Sequence, residues 1–237
     1  MDLSSFEKTK KEYARTKVEV AVEESFVHPS PFLTPEIISK RVNFQTDEEL
    51  NFLYVKFKKG IEIFVQEVTT LPEETQKSIL SSLSRALLGR SEELKLEKTS
   101  ELSNEEVVLL HQLVKKIFAD GRLEDASDCF LVLTQVAPGA EQIWLEFGIV
   151  KQKQRHFDDA LILYAQSSYL NTSHPVPHLY IADCCAEQGR SEEAIQALDR
   201  AVILIEKDET FAHLRPYAQN IRQKIASVNV NMFFIKG

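Results

Sequence analysis

Glycine and cysteine are scarce in this chain of 237 residues. Seven glycines are too few for a Gly-rich loop that cradles phosphate, and no G-x-S-x-G or H-E-x-x-H motif occurs. The three cysteines, Cys129, Cys184 and Cys185, do not make a disulfide framework and are typical of buried thiols in a reducing compartment. We therefore predict no catalytic residues, no metal site and no cofactor, and hence a protein that is not an enzyme.

Positive charge and long apolar runs are lacking as well. The net charge is −8, whereas binding to a phosphate backbone requires an excess of Lys and Arg. No apolar run reaches the roughly 18 residues of a membrane span. The first residues, Met1 to Glu24, are charged throughout and contain no apolar signal-peptide core. We expect no nucleic-acid partner, no membrane insertion and a cytoplasmic location.

A period of 34 residues organises the C-terminal half of the chain. Alanines recur with this spacing at Ala126, Ala160 and Ala194. A bulky residue follows each alanine by four positions: Phe130, Tyr164 and Leu198. This is the tetratricopeptide pattern, in which the alanine lies where helix B crosses helix A and the larger residue fills the gap beside it. We predict three repeats, at 107–140, 141–174 and 175–208, and then a capping helix.

Two more helices are predicted ahead of the repeats. An apolar stripe at helical spacing runs from Leu50 to Val68, and Leu71-Pro72 ends it. A second helix then reaches Gly89, so that 47–89 forms a hairpin. The predicted domains are a partly extended N-terminal extension (1–45), the hairpin with a linker (46–102) and the repeats with their cap (103–237). The predicted fold class is an all-α tetratricopeptide-repeat solenoid.

A groove for a polypeptide is the predicted functional site. The A helices of a tetratricopeptide solenoid line its concave face. By repeat position, this face presents Val108, His111, Lys115, Phe118, Leu145, Ile149, Gln152, Leu179 and Asp183. Such a mixture of apolar and polar side chains suits an extended peptide. A clamp for a C-terminal carboxylate is disfavoured, because Lys115 is the one cation at the corresponding positions and Glu146 would repel the anion.

Four sequence tracts resemble one family of repeat proteins. They are Leu102-Ser-Asn-Glu-Glu106, Phe118-Ala-Asp-Gly-Arg-Leu-Glu-Asp-Ala126, Trp144-Leu-Glu-Phe-Gly148 and Pro175-Val-Pro-His-Leu-Tyr-Ile-Ala-Asp-Cys184. Together they resemble the class II chaperones of bacterial type III secretion systems, which guard translocator proteins in the cytosol. The resemblance covers a little under half of the chain. The N-terminal extension departs from it, because such chaperones have only a short segment before their repeats.

This resemblance implies a cytosolic chaperone that holds an extended segment of a translocator or effector. The expected partner is such a secreted protein or a component of the secretion apparatus. The alternative is a tetratricopeptide adaptor or scaffold subunit of a larger assembly without chaperone activity. The family recognises segments of the form P-x-L-x-x-P, and Pro31, Leu33 and Pro35 lie in a similar segment that is one residue shorter. Two interpretations of this segment stay open: a self-ligand, bound in the groove of its own chain or of a second chain in a homodimer, or a Pro-rich connector that packs elsewhere on the solenoid. The apolar tail Met232–Ile235 is left without a role.

Overall fold

A computed structural model describes the backbone of residues 47–88 and 102–235, and the side chains of 52–84, except Tyr54, and of 102–227. Nine α-helices and one 3-10 helix make up most of these ranges, which contain no β-strand. The helices are α1 Asp47–Val68, α2 Glu73–Leu88, α3 Asn104–Ala119, α4 Leu123–Val136, α5 Glu141–Lys153, α6 Phe157–Leu170, α7 Val176–Glu187, α8 Ser191–Lys207, the 3-10 helix Glu209–Leu214 and α9 Arg215–Ile235.

The chain divides into two compact units, Met1–Pro138 and Gly139–Gly237. The first unit contains α1 to α4, and the second contains α5 to α9 with the 3-10 helix. The first predicted repeat, α3 and α4, therefore lies in the first unit. The second repeat, α5 and α6, and the third, α7 and α8, lie in the second unit.

In the first unit, α3 and α4 form the helix pair of the first repeat. The Ser103 side chain accepts a hydrogen bond from the Glu106 backbone N–H, and the Glu106 carboxylate accepts one from the Ser103 N–H. This capping box starts α3 where the sequence predicts it. Gly121 ends the pair's turn with a φ of +79°, a left-handed conformation that a glycine adopts without steric cost.

Helices α1 and α2 are both present, but α1 packs chiefly along α4 rather than along α2. Close contact is possible because Gly60 has no side chain: a Cβ there would lie 2.2 Å from the backbone oxygen of Asp128. Ile63, Phe64 and Val68 of α1 are buried, with exposed fractions of 6% or less. The apolar stripe predicted for this helix is thus used for packing within the unit.

The second unit contains two complete repeats. Ala160 and Ala194 have no exposed surface, as the repeat pattern requires of the residues at a close helix crossing. Gly148 of α5 faces the Tyr164 ring of α6, where an added Cβ would lie 2.5 Å from the ring. Arg155 takes the turn position with a φ of +63°, where Gly121 and Gly189 stand in the other repeats. The predicted all-α tetratricopeptide fold is confirmed.

The end of the second unit differs in detail from the expected single capping helix that begins near Glu209. Asp208 caps a 3-10 helix over Glu209–Leu214, and α9 begins only at Arg215. Pro216 therefore stands in the first turn of α9, where its missing N–H has no partner to lose, rather than inside a helix. Ala218, Ile221 and Ile225 are buried and hold α9 on the repeats.

Candidate functional site

In the first unit, the predicted groove residues form one row along α3. Val108, His111, Lys115 and Phe118 follow each other at three- and four-residue spacing, which places them on one side of the helix. Val108 is 52% exposed and Lys115 is also exposed, whereas His111 and Phe118 are half-buried. The His111 ring contacts the Phe130 ring edge-on, with centroids 6.1 Å apart. The row is an accessible surface of alternating apolar and polar character.

In the second unit, the five predicted groove residues differ in burial. Ile149 and Gln152 of α5 and Asp183 of α7 are half-buried and reach the surface. Leu145 is only 8% exposed, and Leu179 has no exposed surface at all. Both leucines belong to the hydrophobic core, so the prediction that they face a partner is wrong for these two positions. Fewer of the predicted groove residues are therefore accessible to a partner than the repeat positions suggest.

A chain of hydrogen bonds joins four helices of the second unit. The Tyr164 hydroxyl of α6 donates to Gln152 Oε1 at 2.7 Å, and Gln152 Nε2 donates to Asp183 Oδ2 at 2.7 Å. Lys224 Nζ of α9 donates to Asp183 Oδ1 at 2.7 Å and also pairs with Glu187. Gln152 and Asp183 thus fix the positions of α5, α7 and α9, in addition to contributing to the surface.

Aromatic rings lie beside this hydrogen-bonded chain. Tyr180 of α7 stacks on Tyr164 with centroids 5.2 Å apart and 17° between the rings, and it contacts Tyr217 of α9 at 6.2 Å. Burial raises the pKa of the Tyr180 hydroxyl, and the charges of Asp183 and Glu146 raise it further. Tyr180 is half-buried and Tyr217 is 37% exposed, so both rings reach the surface.

The groove positions predicted from the sequence do not include Tyr180, Tyr217 or Lys224. A signal existed for Tyr180, because it lies three residues before Asp183 and hence on the same side of α7. Tyr217 and Lys224 lie outside the repeats, in α9, and no repeat position points to them. The proposed self-ligand residues Pro31, Leu33 and Pro35 lie outside the described residues.

All three cysteines of the chain are buried. Cys129, Cys184 and Cys185 are free thiols, and burial raises the pKa of Cys185 to about 11. Among the described residues, no group of three or more His, Cys, Asp or Glu side chains is arranged to hold a metal ion. No helix in these ranges is long and apolar enough to cross a membrane.

Comparison with known proteins finds similarity in structure only. The sequence matches no protein-family model and no curated protein. A chain of the CopN–Scc3 complex superposes with a TM-score of 0.52 and 17% identity, over 69% of this chain and 99% of that one. The type III secretion chaperone SycD of Yersinia enterocolitica, solved with a peptide of the translocator YopD, gives a TM-score of 0.49 and 21% identity, over 55% and 97%.

PcrH of Pseudomonas aeruginosa, solved with the chaperone binding region of PopD, gives a TM-score of 0.49 at 18% identity, over 55% of this chain and 96% of that one. The chain has a tetratricopeptide-repeat fold. The resemblance to type III secretion chaperones that the sequence tracts suggest is confirmed at the level of this fold.

Proposed function

We propose that this protein is a peptide-binding chaperone of a type III secretion system, which holds an extended segment of a translocator or effector. The observation that carries the proposal is the accessible face of α5 and α7. There Ile149 and Tyr180, together with Tyr217 of the adjoining α9, offer apolar surface beside the polar groups of Gln152 and Asp183. An extended peptide needs both kinds of group, pockets for its side chains and hydrogen-bond partners for its backbone.

A preformed surface favours binding of a flexible segment. The bonds from Tyr164 through Gln152 and Asp183 to Lys224 hold four helices in place before any partner arrives. The protein then loses little conformational freedom on binding, and most of the entropic cost falls on the peptide. The row Val108, His111, Lys115 and Phe118 on α3 is a second accessible surface that we assign to the same task.

The assignment to type III secretion rests on the sequence tracts from Leu102 to Cys184 and on the shared fold. SycD and PcrH, solved with segments of YopD and PopD, illustrate the kind of complex that we propose for this chain. The bacterial cytosol is the proposed place of action. The homodimer and the self-ligand around Leu33 stay predictions.

An adaptor in a larger assembly is the second candidate function, because a tetratricopeptide surface also binds folded partners. Capture of the tagged full-length chain from its native organism, followed by mass spectrometry, separates the two. A chaperone is expected to carry one secreted protein that is insoluble when expressed alone and soluble when co-expressed. A captured set of proteins that fold and stay soluble without this chain would contradict the chaperone and support the adaptor.

A further inference from the structure

Helix α1 covers the outer face of α4, a face that reaches solvent in the other two repeats. Asp128 and Val132 of α4 are buried under α1, with exposed fractions of 1% and 0%. The same two repeat positions are half-buried in α6 and exposed in α8, where they are Ile162, Gln166, Gln196 and Arg200. The outer face of a B helix is thus accessible in both repeats of the second unit. In the first unit it is occupied.

The face of α4 that α1 covers is charged, as a solvent-exposed surface would be. It presents three carboxylates, and α1 meets them with two lysines. Lys56 Nζ lies 2.9 Å from Glu124 and 3.5 Å from Asp128, and Lys59 Nζ lies 2.8 Å from Asp125 and 3.3 Å from Asp128. Burial raises the pKa of the Asp128 carboxyl, although both lysines favour its charged form. If α1 left, the Asp128 carboxylate would be hydrated, and the free-energy cost of burying its charge would be recovered.

Backbone contact determines which residue can stand at the centre of this interface. An added Cβ at Gly60 would lie 2.2 Å from the Asp128 backbone oxygen and 2.9 Å from Val132. Directly below, the Cys129 thiol donates a hydrogen bond to the Gly60 carbonyl at 3.7 Å. Cys129 has no exposed surface. A helix bound here must carry a very small residue at the crossing point, and it shields Cys129 while it is bound.

We infer that the outer face of α4 is a docking site for a basic amphipathic helix and that α1 is its occupant in the free protein. The partner that fits carries two basic residues three positions apart, a glycine directly after the second, and apolar residues one turn later. Such a helix replaces α1 by making the same ion pairs to Glu124, Asp125 and Asp128. This surface belongs to the first unit, whereas the face of α5 and α7 proposed to bind an extended segment belongs to the second.

The native cysteines test whether α1 can leave. The doubly charge-reversed variant Lys56→Glu/Lys59→Glu of the full chain replaces attraction to three carboxylates by repulsion. Labelling of Cys129 by a thiol reagent, resolved by mass spectrometry, is expected to become about tenfold faster or more. Cys184 and Cys185, which are buried in the second unit, serve as internal controls whose labelling stays slow. Equal protection of all three thiols in this variant would overturn the inference.

Salt provides a second arm that needs no variant. Raising the ionic strength of the wild-type protein from about 0.05 M to about 1 M screens the ion pairs of α1. Labelling of Cys129 is expected to speed up several-fold while that of Cys184 and Cys185 does not change. Protection of Cys129 that is independent of salt would contradict an occupant held by charge, whether or not the charge-reversed variant folds.

A synthetic peptide of residues 47–70 tests the docking site directly. Labelled with a fluorophore, it is expected to bind the charge-reversed full chain, to restore protection of Cys129 there, and to bind wild type at least about tenfold more weakly. A peptide with Gly60→Leu is the matched control and is expected not to bind. Failure of the unmodified peptide to bind the charge-reversed chain, or equal binding of both peptides, would overturn the proposed site.

Discussion

At the scale of single residues, the repeat alanines are completely buried in the fold. Ala126, Ala160 and Ala194 have no exposed surface, and Tyr164, one turn after Ala160, is fully buried against Gly148 of the preceding helix. The side chains on both sides of these crossings are therefore held at close-packed distances. A larger side chain at an alanine position has no space to enter without moving a helix.

We expect Ala160→Leu to lower the free energy of unfolding by about 1–3 kcal/mol, because three extra carbon atoms overpack the crossing. Chemical denaturation followed by circular dichroism measures this change. Ala119→Leu is the matched control, since Ala119 lies at the exposed end of α3. If the two variants are equally stable, the close-packing role of the repeat alanines is wrong.

His178 gives the second unit a dependence on pH. It is 8% exposed, and burial together with the positive charge of Arg200 lowers its pKa to about 4. The unfolded chain binds a proton near the ordinary pKa of about 6.5, and the folded chain does so only near 4. Stability contributed by the neutral imidazole is therefore lost as the pH falls from about 6.5 to about 4, by at most about 1.4 kcal/mol per pH unit.

The variant His178→Gln tests this assignment. Glutamine keeps a hydrogen-bonding group near Ser168, which lies 3.1 Å from His178 Nε2, but it cannot ionise. We expect the loss of stability between pH 6.5 and pH 4.5 to be smaller in the variant than in wild type by about 1–2 kcal/mol. Denaturant titrations at the two pH values measure this loss in both proteins. If wild type and variant lose the same amount of stability, His178 does not titrate as the structure implies.

At the scale of helices, the contact of α1 with α4 depends on Gly60. Alanine would favour the helix interior by up to about 1 kcal/mol, but its Cβ would lie 2.2 Å from a backbone oxygen that cannot rotate away. We expect Gly60→Ala to destabilise the protein by about 1–3 kcal/mol in thermal unfolding. Gly139→Ala is the control, because nothing lies within 4 Å of an added Cβ there. A Gly60→Ala protein as stable as this control would refute the close contact.

Two ion pairs of the capping helix α9 differ in distance and in exposure to solvent. Lys224 and Asp183 are 2.7 Å apart and partly buried, with side-chain exposures of 33% and 19%. Arg222 and Asp199 are 3.9 Å apart and largely exposed, at 64% and 62%. Both pairs join α9 to the third repeat, but solvent screens the second almost completely.

We expect Asp183→Ala to cost about 1–3 kcal/mol, because it leaves Lys224 and Gln152 without a shared partner. Hydrogen exchange should accelerate in α9 before it accelerates in α6 or α8. Asp199→Ala, the matched control, is expected to change stability by less than about 0.5 kcal/mol. Similar exchange profiles in the two variants would contradict the role of Asp183 as the junction of α5, α7 and α9.

At the scale of the whole molecule, the sequence predicts the helices well. The 34-residue period yields helix pairs at Asn104–Val136, Glu141–Leu170 and Val176–Lys207, and the turn positions Gly121, Arg155 and Gly189 all take a positive φ. These features depend on contacts between residues close in sequence. Local spacing is therefore enough to predict them.

The sequence does not reveal which residues contact each other when they are far apart in the chain. The packing of α1 on α4 joins residues more than 60 positions apart, and Gly60 alone hints at it. Leu145 and Leu179 occupy a repeat position that we expected to face a partner, yet both pack inward. His111 of α3 occupies the same repeat position and is half-buried. Burial at this position therefore depends on the neighbouring helices, and the repeat position alone does not determine it.

The central claim is that a partner segment binds to the accessible face of α5 and α7. The most direct test is the dissociation constant of the captured partner's segment for two matched variants, Ile149→Glu on that face and Ile203→Glu on α8, where Ile203 is 55% exposed. Both variants place the same charge on an isoleucine that reaches the surface. Circular dichroism establishes that both are folded.

We predict that Ile149→Glu weakens binding about tenfold or more, because the carboxylate must be desolvated against apolar peptide side chains, whereas Ile203→Glu leaves the constant unchanged. Isothermal titration calorimetry with the full-length chain measures both values. Wild-type affinity in Ile149→Glu, or an equal loss in Ile203→Glu, would contradict the claim.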